Sequence, residues 1–214
     1  INIRGIKRFA AEFDLNHGPY LPPVMPDSGK KIAIIGGGPA GLAAAYYSRQ
    51  FGHQVDIFEA LPQLGGMTRY GIPKFRLPWD KMDAEIKSII DLGVKVHCNQ
   101  RLGSDFSLAE LKAKGFDAIL LAIGAHKPRP MQIINEETYG VMGGVDFLRK
   151  VVLGEEIPPI GKVAVVGGGD VAMDCARVAK RLGAEVTILY RRTQAQMPAL
   201  HHEQTQTMEE GIEF

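Results

Sequence analysis

The stretch that most limits what this chain can become is Ile32-Ala-Ile-Ile-Gly-Gly-Gly-Pro-Ala-Gly41. Its apolar, β-branched opening has the length and composition of a buried parallel strand. Gly36, Gly38 and Gly41 then fall at the spacing G-x-G-x-x-G where the strand should turn into a helix. In that spacing the first glycine allows a tight turn, the second lets backbone approach a pyrophosphate, and the third lets helix pack on strand. A helix from Pro39 to Phe51 would aim its free N–H groups and positive dipole end at the phosphates. The next apolar run, Val55-Asp-Ile-Phe-Glu59, ends on an acid 18 residues beyond the last glycine, where a carboxylate accepts from ribose hydroxyls. Strand, turn, helix and acid together predict a dinucleotide site.

The same order of elements recurs. A strand at Val163–Val166 is followed by Gly167-Gly-Gly-Asp-Val-Ala172, a helix to Leu182 and a strand from Glu185 to Tyr190. Between the repeats, the pattern predicts a helix at Asp80–Leu92 stopped by Gly93, and a strand at Val94–His97. It then predicts a helix at Ser107–Lys114 with Ser107 and Glu110 as a capping box, a buried strand at Asp117–Ile123 and a helix at Val145–Leu153. Strands alternating with helices imply a doubly wound parallel sheet. The expected fold class is α/β, with two Rossmann-like dinucleotide-binding units, the second incomplete. The expected divisions are residues 1–30 (an amphipathic helix on Ile3, Ile6, Phe9, Ala10 and Phe13, then a linker rich in proline), 31–126 (the first unit), 127–160 (a connection with one helix) and 161–214 (the first part of the second unit).

Bulk properties exclude several classes. Lys and Arg (25) balance Asp and Glu (24), so no overall field draws the chain to nucleic acid or anionic lipid. The longest apolar stretch, Ile32 to Tyr47, is broken by glycines and a proline, which argues against a membrane span. The two cysteines, Cys98 and Cys175, form no C-x-x-C, so a cluster or redox disulfide of that type is not expected and a cytoplasmic setting is. His201-His-Glu203 suggests metal, but adjacent histidines leave a helix on different sides and no third ligand is apparent, so no metal site is expected.

The two repeats differ where ligand choice is made. The second turn, Gly167-x-Gly169-x-x-Ala172, has alanine for the third glycine, a variant of the same fingerprint. Where the first unit has Glu59, the second has Tyr190-Arg191-Arg192. A carboxylate suits a ribose 2′-hydroxyl and repels a 2′-phosphate, while a guanidinium pair does the reverse. An NADP-type nucleotide is therefore expected in the second site. Asp170, at the start of the second helix, is expected to cap and orient rather than touch phosphate. The irregular stretch after Glu59 is long enough to be functional: Gly65 and Gly66 permit close approach to a flat ligand, and Arg69, Lys74 and Arg76 offer cationic donors.

These features, with Ile6-Lys-Arg-Phe-Ala, Gly65-Gly-Met-Thr-Arg-Tyr-Gly-Ile-Pro-Lys-Phe-Arg-Leu-Pro78, Leu121-Ala-Ile-Gly-Ala, Gly168-Gly-Asp-Val-Ala-Met-Asp-Cys and Met197-Pro-Ala, run over nearly the whole chain. The chain resembles the NADPH-dependent FAD oxidoreductases represented by the glutamate synthase small subunit and the N-terminal half of dihydropyrimidine dehydrogenase. The resemblance implies a glutathione-reductase-like FAD/NAD(P)-binding fold. It implies FAD in the first unit at Gly36, Gly38, Pro39, Ala40, Gly41, Glu59, Gly66, Met67, Arg76 and Leu102. NADPH is implied in the second, at Gly167, Gly168, Gly169, Asp170, Val171, Arg191 and Arg192. It further implies hydride passing from NADPH to FAD and electrons onward to iron–sulfur clusters of a partner domain or large catalytic subunit, with no catalytic side chain. Family members carry a cysteine-rich domain before the first helix and continue past the second site. A fragment is thus implied, and a truncated cofactor-binding piece without turnover is the alternative expectation. A thioredoxin-reductase-like activity lacks its C-x-x-C.

Overall fold

In the computed structural model, which describes residues 1–214, β1 (Lys31–Ile35) lies second from the edge of a four-stranded parallel sheet. β2 (Gln54–Phe58) flanks it on one side with β3 (Lys95–His97) beyond, and β4 (Ala118–Leu121) flanks it on the other, giving the order β3-β2-β1-β4. Ile32 pairs with Val55 and Ala118, and Ile35 pairs with Phe58 and Leu121. The strands therefore end level, which sets the first glycine turn beside the acid that follows β2. Successive side chains of β1 serve opposite faces, as the pleat requires. Ile34 joins Leu42, Val55, Ile57, Met82 and Ile86 in one core, and Ala33 and Ile35 join Phe58, Phe106, Leu111 and Phe116 in another.

Four helices accompany this sheet. α1 (Ile3–His17) is the predicted amphipathic helix; it touches α4 (Trp79–Ile90) but buries none of its residues. α2 (Pro39–Gln50) follows the first turn, and α5 (Leu108–Ala113) carries the predicted capping box of Ser107 and Glu110. The linker of prolines is tied to the end of α2, where Met25 N–H donates to Gln50 O and Ser28 N–H donates to Gly52 O. A single helical turn, α3 (Met67–Tyr70), interrupts the stretch expected to be irregular. The strand expected to be buried at 117–123 is not. β4 is an edge strand, and Leu120 and Leu121 are 43% and 54% exposed. An apolar run bounded by turn signals looks the same whether one face or two are covered.

The chain divides into two compact units, residues 1–69 with 74–124 and residues 70–73 with 125–214. In the second, β5 (Lys162–Val166) pairs in parallel with β6 (Glu185–Leu189). α6 (Gly144–Leu153) packs on α7 (Asp170–Arg181), so the connecting helix belongs to this unit. Met173, Ala176, Ala179, Val186, Ile188 and Met197 form its core. Extended pairing resumes beside β6, where Ile188 N–H donates to Glu213 O at 2.8 Å.

α8 (His201–Glu209) is bolted to α7 by charge. Arg177, 5% exposed, donates to Glu203 Oε2 at 2.9 Å and to Glu210 Oε1 at 2.8 Å, and Arg181 donates to both Glu210 oxygens. A buried guanidinium is tolerated only when its hydrogen bonds are met in this way. Burial alone would raise the Glu210 carboxyl, but hydrogen bonds from Arg181 and Arg177 outweigh it and hold the group below its usual range. Glu203, from the His-His-Glu run, thus serves Arg177, with His202 Nε2 3.2 Å from its other oxygen.

Candidate dinucleotide-binding sites

The first turn is shaped by close backbone approach. Gly36 has φ +109°, a conformation that L side chains rarely adopt, and a Cβ there would lie 2.4 Å from Ala122 O. A Cβ on Gly41 would lie 1.9 Å from Gly36 O, so the third glycine is what allows α2 to sit directly on the turn. The N-cap of α2 is Gly38, in an extended conformation with no side-chain cap, and Pro39 occupies the first helical turn. The leading N–H groups of α2 therefore have no side-chain acceptor and are available to an anion.

The middle glycine, Gly37, is not part of the G-x-G-x-x-G spacing, yet the structure depends on it. A Cβ there would lie 2.2 Å from Leu64 Cδ2 and 3.2 Å from Glu59 Oε2. Glu59 is 6% exposed; its Oε2 accepts from Gly37 N–H at 2.7 Å and its Oε1 from Leu61 N–H at 2.8 Å. The acid braces the turn. Each oxygen retains a lone pair for a ribose hydroxyl.

The Leu64–Gly66 segment folds back over this turn. Gly65 N–H donates to Gly37 O at 2.8 Å, and a Cβ on Gly66 would lie 2.7 Å from Gly38 Cα. Arg69, expected to offer its charge to a ligand, is spent on this corner instead. It is 3% exposed, donates from Nε to Leu64 O at 2.6 Å, and pairs through Nη2 with Asp83. Met67 begins α3 next to Gly66 and is half-buried. Arg76, in the segment of chain that joins α3 to α4, is half-buried, and half-buried Leu102 forms an isolated bridge with Phe106. Cys98, one residue past β3, is no ready nucleophile: burial, and then the charge of Glu59, push its thiol up.

The second turn repeats this geometry with different side chains. Gly36 N–H donates to Phe58 O, the last residue of β2; Gly167 N–H donates to Leu189 O, the last residue of β6. Glu59 and Tyr190 therefore occupy equivalent positions. A Cβ on Gly168 would lie 2.7 Å from the Tyr190 ring and 3.0 Å from Met197 Cγ. A middle glycine is thus needed in both units, to admit whatever side chain follows the second strand; the Gly-Gly-Gly written at both turns was the available signal. Ala172 in place of the third glycine is accommodated, with 3.4 Å between its Cβ and a Cβ built on Gly167.

The N-cap of α7 is Gly169, again extended and without a side-chain cap, and nothing lies within 4 Å of a Cβ built on it. Val171 is exposed in the first turn of α7. Asp170 does not cap its own helix as expected; its Oδ1 accepts from Leu200 N–H at 3.0 Å. Arg191 and Arg192 are exposed and make neither an ion pair nor a hydrogen bond within the chain. Cys175, buried in α7, has its thiol pushed up to about 12, by burial first and then by Asp174.

Two parallel βαβ units, each turning through three glycines into an uncapped helix, define the α/β fold of FAD/NAD(P)-binding reductases. Residues 30–213 match the family model for pyridine nucleotide-disulphide oxidoreductases, and the chain belongs to that family. It is 45% identical over 222 residues to the NADPH-Fe(3+) oxidoreductase subunit beta of Geobacter sulfurreducens, a match covering 100% of this chain and 33% of that relative. It is 35% identical over 229 residues to the glutamate synthase (NADPH) small chain of Azospirillum brasilense, covering 100% of this chain and 47% of the relative. The chain thus spans a third to a half of the length of these two curated relatives. FprA of Mycobacterium tuberculosis, solved in complex with NADPH, shares the fold with a TM-score of 0.67 at 21% identity, over 88% of this chain and 48% of that one. No helix is long and apolar enough to cross a membrane.

Proposed function

We propose that the first unit holds FAD, that the second holds NADPH, and that the chain is an NADPH-dependent flavin oxidoreductase module of the glutamate synthase small-subunit kind. The observation that carries this reading is the exchange at one equivalent position: Glu59 after β2, Tyr190-Arg191-Arg192 after β6. When bound, the two cofactors supply hydride transfer from nicotinamide to flavin and single-electron transfer onward. The chain's own residues bind and orient. The uncapped amino ends of α2 and α7 present N–H groups to a pyrophosphate, and the Gly38–Gly66 approach leaves no side chain between backbone and ligand. Met67, Arg76 and Leu102 complete the first site, and Val171 lies at the mouth of the second. Glu59 accepts from a ribose, and the unpaired guanidiniums of Arg191 and Arg192 supply a fork for a 2′-phosphate. An iron–sulfur domain or a large catalytic subunit takes the electrons; the relatives named as a subunit beta and a small chain support such a partner.

The test is the double variant Arg191→Glu with Arg192→Ser. Two charge-assisted contacts removed, and one repulsive charge added, should weaken NADPH binding by about 100-fold or more while NADH binding changes by about threefold or less. Equal losses for both nucleotides refute the second-site assignment. Protein that copurifies with flavin bleached by NADPH supports the enzyme; colourless, unreactive protein supports a cofactor-binding fragment without turnover.

A further inference from the structure

In both units the segment that follows the second strand closes back over the glycine turn, and in both it donates to the middle glycine. Gly65 N–H donates to Gly37 O in the first, and Ala199 N–H donates to Gly168 O at 3.0 Å in the second. Leu64 lies on Gly37 as Met197 lies on Gly168. The fastenings beyond this shared bond differ. In the first unit, Arg69 and Asp83 hold the corner from outside the turn. In the second, the turn holds the returning segment itself, through Asp170 Oδ1 and Leu200 N–H.

The returning segment is a closed loop with the arginines on its outgoing arm. It leaves β6 through Tyr190, Arg191 and Arg192, forms a 3-10 turn at Gln194–Gln196, and comes back at Met197–Leu200. Internally, Tyr190 OH donates to Gln196 O at 3.1 Å, and Thr193 donates from backbone N and from Oγ1 to Gln196 Oε1 at 3.4 and 3.3 Å. Behind it, Gln204 Nε2 donates to Ala199 O at 2.8 Å. The outgoing arm leaves the β6 ladder after Leu189 and is tied within the loop by the Tyr190 hydroxyl. The returning arm is fixed to the turn by the Ala199 and Leu200 amides.

The dipole of α7 favours an acid in its first turn, but the Asp170 carboxylate would repel a phosphate bound there, and it caps none of the helix's own N–H groups. Its observed bond gives it a different task. We infer that Asp170 is a positioning residue: it clamps the Arg191–Leu200 loop to the glycine turn and so presets the guanidiniums for a nucleotide 2′-phosphate, without itself touching the ligand. This rests on the assignment of the second site to an NADP-type nucleotide.

Two variants in the full chain separate the clamp from the charge. Asp170→Ala removes the acceptor for Leu200 and leaves the returning arm tied to the turn by the Ala199–Gly168 bond alone. Asp170→Asn keeps an Oδ1 acceptor and removes the charge. Affinities for NADPH and NADH, measured by equilibrium titration, should show the NADPH preference falling about tenfold in Asp170→Ala. In Asp170→Asn the preference should stay within about threefold of the parent, with both nucleotides bound at least as tightly. Amide exchange, read without nucleotide, should speed up at Ala199 and Leu200 in the alanine variant and stay slow in the asparagine variant.

A preference unchanged in Asp170→Ala overturns the positioning role, as does unchanged exchange at Leu200. Equal loss in Ala and Asn variants overturns it too, because the carboxylate charge would then matter directly. A parent protein that binds both nucleotides equally refutes the second-site assignment, and with it the specificity role. Exchange then reports on the mechanical clamp alone.

Discussion

Glu59 is the side chain on which the first unit's turn most depends, and its removal can be costed from the structure. Its carboxylate is 6% exposed and accepts two backbone N–H groups, Gly37 at 2.7 Å inside the core and Leu61 at 2.8 Å in a half-buried position. A hydrogen bond to a charged group contributes about 1.5–3 kcal/mol, and a buried donor left without a partner forfeits that in full. Placing the Gly37 bond at the top of the range, and the Leu61 bond at about 1 kcal/mol because water can replace the acceptor, Glu59→Ala should cost about 3–4 kcal/mol. Glu59→Gln keeps one acceptor oxygen but turns an amide N–H toward the other donor, so it should also destabilise, at about 2 kcal/mol. The chain has a single tryptophan, Trp79, at the start of α4 in this same unit. Urea unfolding followed by its fluorescence therefore reports on the first unit. A loss below about 1 kcal/mol in Glu59→Ala would refute the bracing role and leave Glu59 as a ligand contact alone.

Two further outcomes follow from the geometry. Gly41→Ala puts a Cβ 1.9 Å from the Gly36 carbonyl, a clash with backbone that only movement of α2 can relieve, so the variant should lose about 3 kcal/mol or more and be depleted in soluble expression. Expression and stability equal to the parent contradict the close approach. Glu210 should contribute stability that is fully present above the usual carboxylate pKa and lost as pH falls through its lowered value, because the native group binds its proton more weakly than the unfolded one. Glu210→Gln should therefore flatten the acid limb of a stability–pH profile below about pH 4.5, and an unchanged limb would show that Arg177 and Arg181 do not hold it.

How much of this was legible beforehand depends on the range of the interactions involved. The position of the sheet, the glycine turns, α2, α7, the capping box on α5 and the contrast of Glu59 with Arg191 and Arg192 all follow from patterns within one βαβ unit. Periodicity, glycine spacing and capping chemistry are local, and a linear reading can see them. The role of Arg69 is not visible locally, because a basic residue in a glycine-rich loop looks the same whether it faces a ligand or, as here, the Leu64 carbonyl and Asp83. The exposed face of β4 was hidden for a similar reason: an apolar run does not say which neighbour is missing.

The sequence by itself determined the kind of turn each unit makes and the charge that follows its second strand, because these are set by residues adjacent along the chain. Only the tertiary structure decided what those charges are attached to. It made Glu59 a brace for Gly37, required a middle glycine in each turn, and tied Asp170 to the amide of Leu200. Each of these is a contact across a loop, where distance in space is set by how strands end level and helices seat on them.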